Sequence, residues 1–132
     1  MSVDTNAKRI LLFGAGKSAT VLIDFLKNLS AEKNWKVTVA DNDLKAVQKK
    51  VGEHANTFPV AVDVTDASER QRYIQAADLV ISLMPPHLHY LIAVDCLQFK
   101  KHLLTASYID EQIKLLSAEI KKSNILFLYE MG

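Results

Sequence analysis

Six residues near the amino terminus form a glycine-rich turn whose residue types suit the binding of a phosphate group. They fit the pattern G-x-G-x-x-G/A, in which the first glycine permits a tight turn and the second lets a pyrophosphate approach the backbone. The small last residue lets a helix pack closely on a strand, and the free N–H groups at the helix start face the phosphates. The alternative is a glycine turn without a ligand. This glycine turn consists of Gly14, Ala15, Gly16, Lys17, Ser18 and Ala19.

An acidic residue stands where a second part of a dinucleotide would be bound. Asp41 follows the second apolar run, 25 residues after Gly16. A carboxylate there can accept hydrogen bonds from both ribose hydroxyls of NAD, and it would repel the 2′-phosphate of NADP. The next residue is Asn42, where NADP sites often offer Arg, although the flexible Lys45 could reach a 2′-phosphate. The pattern therefore favours NAD over NADP; the alternative for Asp41 is a simple turn aspartate.

Two further strand ends are candidates for the same crevice, because ligands of open parallel sheets bind at the carboxyl ends of the strands. Asp63 ends the third predicted strand and could approach the adenine; a helix-capping or turn role is the alternative. The residues that leave the fourth strand could line the nicotinamide side with their backbone, or simply pack there. They are Ser82, Leu83, Met84 and Pro85.

Other reactive side chains are weaker candidates. His89 could contact a substrate, or cap or pack a helix; His87 is two residues away and no third ligand follows, so no metal site is predicted. Ser107 and Tyr108 follow the fifth strand and could bind substrate or relay a proton. From the pattern alone, a surface or packing tyrosine is favoured. Cys96 lies on the apolar face of a predicted helix and is interpreted as a buried structural thiol.

Short apolar runs alternate with amphipathic stretches along the whole chain. This alternation predicts right-handed crossovers and an α/β fold. The predicted architecture is a doubly wound, parallel, six-stranded sheet of the Rossmann type, with strand order 3-2-1-4-5-6 and helices on both faces. Pro59 places the third strand at a sheet edge or delays its start. The strands are predicted at 9–13, 36–40, 58–64, 78–83, 102–106 and 125–129, and the helices at 18–29, 43–51, 65–75, 87–99 and 110–122.

Length and composition limit the function classes. A chain of 132 residues with 49% apolar and 23% charged residues predicts one ordered globular domain. The net charge of +1 argues against a strongly basic nucleic-acid binder. One cysteine excludes an intrachain disulfide and suits a reducing compartment. The polar start and the short apolar runs predict neither a signal peptide nor a membrane span, so a cytoplasmic protein is expected.

Several segments together resemble one enzyme family. LVISLMP at 79–85, Leu88-His89, TASY at 105–108 and YEMG at 129–132 are similar to glutamate-forming saccharopine dehydrogenases. The resemblance runs from residue 8 to residue 132, over the family's N-terminal Rossmann domain. It implies an enzyme of lysine metabolism that interconverts saccharopine with glutamate and 2-aminoadipate 6-semialdehyde, using a nicotinamide cofactor.

The resemblance also implies roles for individual residues. The glycine turn would bind the pyrophosphate, and Asp41 the ribose. Asp63 and Val64 would flank the adenine, and residues 82–85 would line the nicotinamide side. Ser107 and Tyr108 would face the substrate, with Tyr108 as a candidate proton relay.

The chain departs from the family in one respect. Family members continue into a substrate-binding and dimer-forming domain that is absent here, so we expect a fragment that binds dinucleotide without turning over saccharopine. The small amino-acid substrate and the homodimer contacts would then belong to the full-length protein. Related imine reductases, acting on carboxynorspermidine or similar amines, stay open as sister activities. The alternative from another class is a nucleotide-sensing regulatory module of a potassium transport system.

Overall fold

The computed structural model describes residues 7–16, 19–105, 116–123 and 127–128 of the chain. In this part strands and helices alternate, as the sequence predicts. The strands are β1 (Arg9–Phe13), β2 (Lys36–Asp41), β3 (Thr57–Ala61), β4 (Leu79–Ser82), β5 (His102–Thr105) and β6 (Phe127–Leu128). The helices are α1 (Thr20–Lys33), α2 (Leu44–Val51), α3 (Ala67–Ala76), α4 (Pro86–Gln98) and α5 (Ser117–Lys122).

The six strands form one parallel sheet in the order β3-β2-β1-β4-β5-β6. This confirms the predicted Rossmann topology. Pro59 lies in β3, at the edge of the sheet, where its missing N–H leaves no ladder bond unmade. In the centre, Phe13 pairs with Ala40 on one side and Ser82 on the other, so the ends of β1, β2 and β4 meet at one edge.

Two apolar cores cover the two faces of the sheet. Alternate residues of a strand point to opposite faces, and β1 shows this directly: Leu12 joins a cluster with α1 and α2, and Leu11 a cluster with α3 and α4. Continuous apolar runs such as β1 are therefore required by burial on both sides. The helices lie on both faces, as predicted.

Helical spacing predicts an apolar stripe on α1, but only part of this stripe packs against the sheet. The predicted stripe consists of Val21, Leu22, Phe25, Leu26 and Leu29. Val21 is 80% exposed and Phe25 57% exposed, whereas Ile23, Leu26 and Ser30 are buried. The buried face is thus rotated by about one residue, or 100°. The rotation is possible because the Ser30 hydroxyl has partners within the fold: it donates to the carbonyl of Lys27 at 2.8 Å.

Some element boundaries differ from those predicted. α1 continues to Lys33 and ends at Asn34, which adopts the left-handed conformation with φ 56°. β3 ends at Ala61, so Asp63 and Val64 lie in the connection that follows the strand. Asp66 caps α3 by accepting hydrogen bonds from the N–H groups of Ser68 and Glu69.

Candidate functional site

The glycine turn lies between the carboxyl ends of β2 and β4. The Gly14 N–H donates to the Ala40 carbonyl at 2.8 Å, and the Leu83 N–H donates to the Phe13 carbonyl at 2.9 Å. These two backbone bonds extend the sheet by one residue on each side of β1. The turn therefore leaves the sheet at the crevice where open α/β sheets bind their ligands.

The two glycines of the turn are required for different reasons. Gly14 has φ +111°, and a Cβ there would lie 3.2 Å from Leu83 Cβ, so both backbone conformation and packing demand glycine. A Cβ built on Gly16 would meet no atom of the described residues within 4 Å. The space above Gly16 is open, which is the arrangement a closely approaching phosphate requires.

The start of α1 offers N–H groups to the same space. Ala19 is buried, and its N–H donates to the Gly16 carbonyl at 3.0 Å. α1 begins at Thr20, and within the described part of the chain no side chain caps its first turn. Uncapped N–H groups and the helix dipole favour an anion at this position. Lys17 and Ser18, predicted members of the pyrophosphate loop, lie outside the described residues.

Asp41 is bonded to the glycine turn itself. Its Oδ2 accepts a hydrogen bond from the Ala15 N–H at 2.7 Å, and its Oδ1 accepts one from the Asn42 N–H at 2.7 Å. A carboxylate has about four acceptor positions, so ribose hydroxyls can still be accepted. The structure thus adds a role that the sequence pattern did not predict: Asp41 ties the turn to the end of β2.

Lys50 provides a second tie from the same β2–α2 unit. Its ammonium donates to the Gly16 carbonyl and to Thr20 Oγ1, each at 2.7 Å. No motif spacing in the sequence points to this residue, because it stands 34 positions after Gly16. Only the packing of α2 beside α1 brings it to the turn.

On the expected adenine side of the crevice, Asp63 and Val64 both accept hydrogen bonds. Asp63 is exposed and accepts hydrogen bonds from Thr65 Oγ1 at 2.6 Å and from the Thr65 N–H at 2.9 Å. These two bonds lower the pKa of the Asp63 carboxyl below its usual value of 3.8. The geometry is that of the turn aspartate given above as the alternative. Val64 is buried, and its carbonyl accepts a hydrogen bond from Arg70 Nη1 at 2.7 Å.

Arg70 is itself part of a buried ion pair that sequence reasoning missed. Its Nε donates to the Asp95 carboxylate, and the two side chains are 7% and 3% exposed. Gln71 Nε2 donates to the other carboxylate oxygen at 3.2 Å. Because Arg70 lies in α3 and Asp95 in α4, the pair fixes these helices together and fixes the Val64 carbonyl beside them.

The expected nicotinamide side lies at the end of β4. Ser82 is buried, and its Oγ accepts a hydrogen bond from the Met84 N–H at 3.4 Å. Leu83 and Met84 are half-buried next to the glycine turn, and Pro85 is exposed at the start of α4. The described geometry brings these strand-end residues and the turn to one edge.

The other candidate side chains are either buried in α4 or outside the described residues. His89 is 1% exposed within α4, a position that favours the packing alternative over contact with a substrate. Cys96 is buried, and burial, together with the neighbouring Asp95 charge, raises the pKa of its thiol, which keeps it protonated. Ser107 and Tyr108 lie outside the described residues. Within the described part, no group of three His, Cys, Asp or Glu side chains could hold a metal ion.

A cavity of about 600 Å³ opens at the opposite, amino edge of the sheet. Its walls include Trp35, Asp78 and His102, and no described residue of the glycine turn lines it. The chemistry of the turn, rather than cavity size, makes the carboxyl edge the candidate functional site. None of the helices in the described part has the length and apolar character of a membrane span.

Comparisons with known proteins show the family of the chain. The family described as saccharopine dehydrogenase NADP binding domain matches residues 10–128. Alpha-aminoadipic semialdehyde synthase of Arabidopsis thaliana is 31% identical over 145 residues, which cover 97% of this chain and 14% of the relative. Saccharopine dehydrogenase [NADP(+), L-glutamate-forming] of Saccharomyces cerevisiae is 34% identical over 125 residues, covering 95% of this chain and 27% of the relative.

A solved structure of apo saccharopine dehydrogenase (L-Glu forming) from Saccharomyces cerevisiae superposes with a TM-score of 0.81. The two are 32% identical, and the match covers 96% of this chain and 27% of that one. The chain thus spans between 14% and 27% of the length of these relatives.

Proposed function

This chain belongs to the saccharopine dehydrogenase NADP-binding domain family, and we propose that it binds NADP(H) at the glycine turn. The observation that carries the proposal is the space above Gly16, which no described residue beyond its chain neighbours enters, next to the start of α1, whose first turn no described side chain caps. A pyrophosphate fits there, because glycine admits its close approach and the helix N–H groups satisfy its oxygens. Family membership disfavours the alternative of a nucleotide-sensing module of a potassium transport system.

The expected preference for NAD is not supported. The family description and the Saccharomyces cerevisiae relative both name NADP. Both oxygens of Asp41 already accept backbone N–H bonds, one of them from the glycine turn, so the carboxylate has a role in the turn that does not depend on which dinucleotide binds. Lys45 is exposed in the first turn of α2, four residues after Asp41, and we propose that its ammonium pairs with the 2′-phosphate.

The proposed whole-protein activity is the reversible oxidation of saccharopine. A hydride would leave the side-chain methylene carbon next to the bridging nitrogen and pass to the bound nicotinamide, which gives a protonated imine. Water would then hydrolyse this imine to 2-aminoadipate 6-semialdehyde and to glutamate, whose amino group keeps the nitrogen and its proton. The cofactor carries this chemistry and the protein positions it. We propose that residues 82–85 line the nicotinamide side, and that Ser107 and Tyr108 face the substrate. For the whole protein we also propose a homodimer, a site for a small amino-acid substrate outside this chain, and a cytoplasmic location.

Calorimetric titration with NADPH and NADH tests the cofactor proposal. The wild-type chain is expected to bind NADPH more tightly than NADH. Lys45→Met should lower the affinity for NADPH and leave the affinity for NADH unchanged, because only NADPH carries the 2′-phosphate. Lys49→Met removes the same charge from an exposed position of the same helix and serves as the matched control. Absence of binding to both dinucleotides would overturn the proposed function.

A further inference from the structure

Lys50 bonds both to the glycine turn and to the helix that follows it. Its ammonium lies 2.7 Å from the Gly16 carbonyl oxygen and 2.7 Å from Thr20 Oγ1. These two acceptors stand at the end of the tight turn and at the first residue of α1. One cation therefore joins the two segments that a bound pyrophosphate would touch.

The helix that carries Lys50 is firmly held. Val47 and Val51, on either side of Lys50 in α2, are completely buried against the sheet. Asp43 caps the start of α2 through the Ala46 N–H, and the Gly52 N–H closes its end by donating to the Gln48 carbonyl. The backbone of Lys50 is thus fixed relative to the sheet, and its ammonium acts from a fixed base.

The Gly16 carbonyl accepts two hydrogen bonds, one from Lys50 and one from the Ala19 N–H. Together they fix the orientation of the Gly16 peptide, while the Cα of Gly16 keeps its open side. A Gly16 peptide whose orientation is already fixed before the ligand arrives loses less entropy on binding. The ammonium also places one full positive charge beside the space proposed for a dianionic pyrophosphate.

We propose that Lys50 is a positioning residue for pyrophosphate binding, which holds the glycine turn in its binding shape and supplies positive potential there. This rests on the proposed function. Because the pyrophosphate is common to NADH and NADPH, Lys50 acts equally on both, in contrast to a residue that binds the 2′-phosphate.

The test is calorimetric titration of wild type, Lys50→Met, Lys50→Arg and Lys49→Met with NADPH and with NADH. Lys50→Met should lower the affinity for both dinucleotides by the same factor, about tenfold, which corresponds to ~1.4 kcal/mol of binding free energy. Lys50→Arg keeps charge and donors and should restore most of the affinity. Lys49→Met should bind as wild type does, although it removes the same charge from the same last turn of α2. The circular dichroism spectrum should be the same in the two methionine variants, which shows that Lys50→Met still folds.

Thr20→Val provides an independent variant at an exposed position. It removes the second acceptor of Lys50, so it should lower the affinity for both dinucleotides. Because the two residues act together, Thr20→Val should lower the affinity less in the Lys50→Met background than in the wild type. The inference is overturned if Lys50→Met binds both dinucleotides with wild-type affinity, or if it loses affinity for NADPH alone. It is also overturned if Lys49→Met loses as much affinity as Lys50→Met does. A wild type that binds neither dinucleotide overturns the proposed function instead, and the inference with it.

Discussion

The two glycines of the turn should respond in opposite ways to the same substitution. In Gly14→Ala the new Cβ is forced into a backbone conformation with φ +111°, which costs about 1–3 kcal/mol in a non-glycine residue. It would also lie 3.2 Å from Leu83 Cβ, and this crowding adds about 1 kcal/mol. The expected loss of folding free energy is therefore about 2–4 kcal/mol.

Gly16→Ala should leave the fold intact and weaken binding. A Cβ at Gly16 meets no described atom within 4 Å, and the residue does not have a positive φ. Alanine should therefore be neutral, or stabilising by up to about 1 kcal/mol through the unfolded state. The methyl group would occupy the space proposed for the pyrophosphate, at a cost of about 1–3 kcal/mol, or roughly 5- to 150-fold in Kd.

Thermal unfolding followed by circular dichroism, together with NADPH titration, separates these effects. Gly14→Ala should lower Tm by about 10 °C, since a domain of this size loses roughly 3–5 °C per kcal/mol. Gly16→Ala should keep the wild-type Tm, or raise it by up to about 5 °C, and lose NADPH affinity. The reasoning is refuted if Gly14→Ala unfolds at the wild-type temperature, or if Gly16→Ala binds NADPH as well as wild type does.

Three further predictions follow from buried and polar contacts. Arg70→Met leaves the Asp95 carboxylate buried without its cation, so urea unfolding should show a loss of about 3–5 kcal/mol; an unchanged urea midpoint would contradict this. Because Thr65 lowers the pKa of Asp63, the stabilising contribution of Asp63 is present above pH 4 and is lost as the pH falls through the lowered pKa. In Thr65→Val, an NMR titration of the Asp63 carboxyl carbon should show its pKa return towards 3.8. Cys96 should not react with an aromatic disulfide reagent at pH 8 until guanidinium unfolds the chain; rapid reaction of the native protein would contradict its burial.

The strands and the place of the glycine turn were predictable from sequence, because both depend on near neighbours in the chain. The strand order was predictable for another reason: alternating strands and helices follow the crossover and Rossmann rules. A continuous apolar run such as RILLF indicates a strand buried on both faces, and a glycine directly after it indicates a turn at the sheet edge. Pro59 predicted the edge strand through its missing N–H. These signals lie within a few residues of the feature they predict.

The orientation of α1 was not predictable from periodicity. Val21 and Phe25 fit an apolar stripe, yet the structure exposes them and buries Ser30. A stripe of apolar residues on a helix covers a broad arc, and the packing partners choose which part of it faces the sheet. Ser30 can be buried because its hydroxyl group has a hydrogen-bond partner within the fold.

The contacts that shape the candidate site were decided by tertiary structure alone. Asp41 reaches the Ala15 N–H across 26 positions, Lys50 reaches Gly16 across 34, and Arg70 pairs with the carboxylate of α4 across 25. An aspartate after a strand indicates a ribose contact by its spacing, but no local pattern indicates that it also holds the turn. Such contacts depend on how separate elements pack side by side, and that arrangement exists only once the whole sheet has formed.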